Sequence, residues 1–121
     1  MVCPGYPDPQ FLFFSSQVPP LLYYSHIPTA AIALLFGLFV YMKNRSSLSG
    51  RILFLIALVF FAWALCDLIT WTSNDSDVIV FFWSLFGLLY ALLSLFSVYF
   101  ASVFIEGRDM SLKEKVALGV L

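Results

Sequence analysis

The sequence predicts an all-α polytopic integral membrane protein, with three transmembrane helices and the start of a fourth. Three observations carry this. Of the 121 residues, 62% are hydrophobic and 11% are charged, where soluble domains have about 45–50% and about 25%. A soluble chain this short has too little interior to hide so much apolar surface, so lipid is its natural solvent. The apolar residues form long runs, and all six cations fall in two patches outside them: Lys43, Arg45 and Arg51, then Arg108, Lys113 and Lys115. Lys and Arg collect in short cytoplasmic loops, so the patches mark the cytoplasmic end and put the N-terminus outside.

Residues 1–25 read as an extracytoplasmic proline-rich tail. Pro19-Pro20 resists helix, and Phe11-Leu12-Phe13-Phe14 suits an anchor at the headgroup level. The tail has no cation, so it lacks the basic start of a cleavable signal peptide. A disulfide between Cys3 and Cys66 is not expected, because the two stand in different settings.

The first spanning helix is expected over about 26–43, with Pro28 in its first turn, where a missing N–H costs nothing. Pro28 to Met42 alone makes roughly 22 Å of helix, short of a core about 30 Å thick. Tyr23 and Tyr24 can help at the interface. The second helix, over about 51–72, is long enough to span, with Trp71 as a belt residue at its far end. Ser73 to Asp77 is a cation-free turn. The third helix, over about 78–105, exceeds the bilayer and must tilt or emerge. Gly107 reads as its stop. Ser111 and Glu114 have capping-box spacing, so a fourth helix starts at about 112 and the chain is expected to be a piece of a longer protein.

Chemistry-bearing residues are few. One histidine and no paired Cys/His spacing leave no metal site. No nucleotide loop, nucleophile elbow or zincin motif occurs. No catalytic set and no cofactor are therefore expected, and the net charge of −1 argues against a nucleic-acid partner. Gly87, Ala91, Ser94 and Ala101 on the third helix, and Ala33 and Gly37 on the first, are small residues at helical spacing that let backbones approach. They suit close helix contact within one molecule or in a homodimer.

Asp67 is the one ionisable group deep in an apolar run, about 7 Å inside the end of the second helix. A charge there must face protein or water. Trp63 and Trp71 stand four residues either side, on one face. At similar depth come Trp83 and Ser84 from the third helix, and His26 and Thr29 from the first. This set reads either as a polar clamp between helices or as an outward pocket for a small ligand or proton.

The stretch Lys43 to Phe54 resembles the first cytoplasmic loop and second-helix start in the seven-helix N-terminal membrane region of bacterial sensor histidine kinases. Phe61 to Leu68, with its Trp-Ala-Leu core, is similar to that family's second helix. Ile105-Glu106-Gly107-Arg108 fits its third-helix exit. The resemblance covers about residues 26–121 and implies the membrane-embedded sensor or anchor region of a two-component signalling protein in a bacterial inner (plasma) membrane. Its partners would be the lipid bilayer and a cytoplasmic kinase output domain; the later helices and the kinase core lie outside these residues. A small structural subunit of a membrane complex, or a transporter fragment with Asp67 on a water-accessible path, fits the same topology.

Overall fold

The computed structural model describes Ser15 and residues 18–120. Cys3 and the apolar stretch Phe11 to Phe14 lie outside them. The described residues form four helices and no strand: α1 Pro20–Lys43, α2 Leu48–Thr72, α3 Ser76–Glu106 and α4 Leu112–Val120. The first three are long and apolar enough to cross a membrane. The chain is thus an all-α polytopic membrane protein, as its composition predicts. In the stack, α2 lies between α1 and α3 and packs on both.

Helix α1 begins six residues earlier than expected, and Pro28 lies inside it. Pro20 occupies the N-terminal proline position instead. Lipid explains the difference. A helix of 24 residues reaches about 36 Å and spans the hydrocarbon, which a start at Pro28 does not. An interior proline forfeits one backbone hydrogen bond, a loss that membrane helices tolerate when nearby groups compensate. The polar residues of this turn are satisfied locally. Ser25 Oγ donates to Leu22 O at 2.9 Å, and His26 Nδ1 lies 2.9 Å from the same oxygen.

Close approach of α1 to α2 depends on small residues. Ala30 and Gly37 are the buried residues of α1. A Cβ built on Gly37 would stand 2.6 Å from Ala57 Cβ and 3.5 Å from Phe54 Cα, so only glycine fits. Ala33 lines the same seam with Ala57 and Phe60. Tyr41 stacks on Phe54, with ring centroids 5.3 Å apart.

Helix α2 is the most buried of the three, with Ile52, Leu68 and Thr72 almost wholly enclosed. Its start is capped by Ser47, whose hydroxyl accepts from Gly50 N at 3.4 Å. On the outward faces of α1 and α3 the pattern reverses. Ile32, Leu35, Phe36, Val80, Phe81 and Phe104 are all at least 60% exposed. Apolar side chains facing outward on both flanking helices are what lipid, not water, stabilises.

Helix α3 starts on Asp75, which accepts from Asp77 N at 2.9 Å. It ends on Gly107 at φ 65°, whose N–H bonds Val103 O. The expected capping box opens α4. Ser111 N donates to Glu114 Oε2 at 2.6 Å, and Glu114 N donates to Ser111 Oγ at 3.4 Å. Tyr99 OH donates to Asp109 Oδ1 at 2.6 Å, and Lys115 Nζ donates to Asp109 Oδ2 at 2.7 Å. Asp109 therefore ties α4 back to α3.

This junction is expected to be sensitive to acid. The Lys115 and Tyr99 hydrogen bonds hold the Asp109 carboxyl below its ordinary range. The Ser111 backbone, then the Ser111 hydroxyl and Arg108, do the same for Glu114. A carboxyl lowered in the folded state contributes stability above its unfolded pKa, about 4, and loses it as pH falls through the lowered folded value. We expect amide exchange in α4 to accelerate, after correction for intrinsic rates, when pH drops from about 6 to about 3. Unchanged protection would remove the acid-sensitive tie.

Candidate ligand site between α2 and α3

Asp67 lies on α2 in the half of the molecule that carries the α2–α3 turn. Its Oδ2 is 2.7 Å from His26 Nε2 on α1. Both side chains are about one-fifth exposed, at 21% and 19%, so each is largely withdrawn from its surroundings and dependent on the other. The histidine's second nitrogen is also engaged. Nδ1 lies 2.9 Å from Leu22 O and 2.9 Å from Ser25 Oγ. Leu22 O can only accept and the Ser25 hydroxyl can donate or accept, so the role of Nδ1 follows the tautomer. Nε2 faces a carboxylate, so a proton lies on the line between it and Asp67. The contact is a one-proton clasp joining α1 to α2.

The other side of Asp67 opens on a cavity of about 660 Å³ between α2 and α3. Trp63, Asp67, Thr70 and Trp71 line it from α2, and Trp83, Phe86, Gly87 and Tyr90 from α3. The helical repeat accounts for this set. Residues 63, 67, 70 and 71 fall at i, i+4, i+7 and i+8, one face of a helix. Residues 83, 86, 87 and 90, at i, i+3, i+4 and i+7, likewise share one face of α3. Trp63 spans the floor, meeting Phe86 edge-on at 5.8 Å and Tyr90 at 6.0 Å. Its Nε1 is buried with no hydrogen-bond partner. Thr70 Oγ1 donates to Cys66 O at 2.8 Å, so its hydrogen is committed. Among the described residues no group of three or more His, Cys, Asp or Glu side chains comes together.

Trp63, Asp67 and Trp83 line the cavity, and His26 meets Asp67 from α1. Ser84 is a correction. It lies beside Trp83 on a neighbouring surface with Ile79 and Val80, and its hydroxyl donates to Val80 O at 2.9 Å. Adjacent residues on a helix point about 100° apart, so only one of the pair can face Asp67. Thr29 is exposed and outside the cavity lining.

The two small-residue stripes part company. Ala33 and Gly37 lie in the α1–α2 seam, but Gly87, Ala91, Ser94 and Ala101 are exposed. None of the four is buried against α2. Thus a Cβ on Gly87 would meet nothing within 4 Å, and Ser94 Oγ donates to Tyr90 O in its own helix at 3.0 Å.

Phe86, Tyr90 and Thr70 are lining residues that sequence reasoning missed. Their offsets, i+3 from Trp83, i+4 from Phe86 and i+3 from Asp67, were the available signal. No family model, no curated protein and no solved structure matches the chain.

Proposed function

We propose that this chain is the membrane-embedded sensor region of a two-component signalling protein, and that occupancy of the α2–α3 cavity is its stimulus. The observation that carries the reading is the placement of Asp67. One carboxylate both lines the cavity and holds α1 through His26 at 2.7 Å. A ligand that changes Asp67 therefore changes the tie on α1. Such a ligand shifts helix arrangement to the extent that it binds one arrangement more tightly than the other. The cavity volume lies within the usual range for small-molecule sites, about 300–1,000 Å³. In this reading the α2–α3 turn faces outward and the basic end faces the cytoplasm, where a kinase would receive the change. The resemblance around the first basic loop and the second helix supports that output.

The test is a distance. Spin labels at Ser46 and Lys113, both exposed at the basic end, report how α1–α2 and α3–α4 sit there. Replacing Asp67 with Asn is expected to shift or broaden the distance distribution by several Å, since a single packed arrangement gives way to two. An unchanged distribution would remove the sensor reading. Coding sequence that continues past Leu121 into a histidine-bearing dimerisation helix and a nucleotide-binding domain is the result expected for the kinase assignment.

A further inference from the structure

We infer that the α2–α3 cavity is a receptor site for an alkylated ammonium cation with an apolar body. The inference deepens the sensor reading by naming the ligand class of the same site.

Three features of the lining select this chemistry. The first is ring faces. The chain has three tryptophans, and all of them, Trp63, Trp71 and Trp83, line this one cavity together with Phe86 and Tyr90. Aromatic faces are electron-rich and attract cations, tryptophan most strongly, and the attraction grows where water is excluded. The second is charge. Asp67 is the one acidic residue of the lining, and no cation lines the cavity. A neutral apolar guest gains nothing from a carboxylate, and an anion is repelled by it.

The third is a shortage of acceptors. Side-chain oxygens come only from Asp67, Thr70 and Tyr90, Asp67 Oδ2 is already engaged by His26, and the indoles offer only N–H donors. A primary ammonium or a guanidinium brings three or more N–H groups that each need an acceptor, and rings outnumber oxygens in this lining. An ammonium whose hydrogens are replaced by alkyl groups makes no such demand. It needs a negative charge and ring faces, which are what the cavity presents. A volume of about 660 Å³ exceeds a bare tetramethylammonium, so the cation carries an apolar substituent, laid along Phe86 and the open space over Gly87. An arriving cation competes with His26 for Asp67, which ties occupancy to the clasp on α1.

The probe is benzyltrimethylammonium, with neopentylbenzene as its uncharged isostere. Purified full chain in a maltoside micelle is titrated with each, followed by tryptophan fluorescence. The expected result is a saturable change with the cation, at least tenfold weaker half-saturation for Asp67→Asn, and no matching saturation with the neutral isostere. Gly87→Leu provides a second variant. Its side chain enters the cavity, and a Cβ there meets no protein atom within 4 Å, so helicity stays intact while binding falls at least tenfold. Equal titration by the cation and the isostere overturns the inference, as does unweakened binding in either helical variant. Adding a choline-headgroup lipid separates two sources. If it displaces the probe, the natural cation is a lipid headgroup; if it does not, the cation is a free solute, and either outcome supports the site. Saturable binding that leaves the Ser46–Lys113 distance unmoved retains the ligand class and removes the sensor reading.

Discussion

Replacing Gly37 with alanine is expected to destabilise the α1–α2 contact by about 1–3 kcal/mol, the usual cost of forcing a methyl into a filled interior. The added Cβ lands 2.6 Å from Ala57 Cβ, which is fixed to its own helix and cannot swing away. The helices must separate, and the seam that also holds Ala30 and the Tyr41–Phe54 stack loosens with them. Because the obstacle is a single methyl, moving it should cure it. The double variant Gly37→Ala/Ala57→Gly transfers the Cβ from α2 to α1 and should recover most of the loss. Gly87→Ala is the control. It adds a methyl where nothing stands within 4 Å, and alanine favours helix over glycine by up to about 1 kcal/mol, so stability holds or rises slightly. Denaturant-induced unfolding in mixed micelles measures all four proteins. Equal behaviour of Gly37→Ala and Gly87→Ala would contradict the close approach of α1.

Loss of Asp67 has the second large effect. Asp67→Leu leaves His26 Nε2 without its partner in an apolar span, and His26→Leu leaves the carboxylate. Polar contacts between membrane helices are worth about 0.6 kcal/mol on average and up to about 1.7. This one lies at the upper end, because the contact is short, at 2.7 Å, and both groups are mostly buried. Each single variant should therefore lose about 1–2 kcal/mol. Replacing both partners together should cost less than the sum, since a paired apolar substitution leaves no polar group stranded.

The fold was legible wherever lipid imposes it. Apolar runs and two basic patches suffice for three spans, because backbone polar groups in hydrocarbon have no alternative to helix. The stops were legible too. Gly107 takes the left-handed conformation that a helix end favours, and Ser111 with Glu114 closes the capping box. The start of α1 was not. Pro20 and Pro28 both satisfy the N-terminal proline rule, and bilayer thickness decides between them, a quantity outside local sequence.

At the site, Asp67, Trp63 and Trp71 declared themselves by four-residue spacing in an otherwise featureless run. His26 declared itself by depth. Phe86 and Tyr90 did not, because α3 carries aromatic residues all round, and no face stands out until α2 is beside it. Ser84 was matched in depth to Asp67 but not in angle about its helix. The α3 stripe of Gly87, Ala91, Ser94 and Ala101 was legible as small, yet its orientation depends on which neighbour the aromatic residues choose.

The clasp between α1 and the cavity wall is the joint on which the account turns, and a double-mutant cycle measures it directly. Wild type, His26→Leu, Asp67→Leu and the double variant are unfolded under one set of conditions. A coupling energy on the order of 1 kcal/mol between His26 and Asp67 is the predicted result. Additive losses, with coupling below about 0.3 kcal/mol, would mean that the two side chains do not hold the helices together.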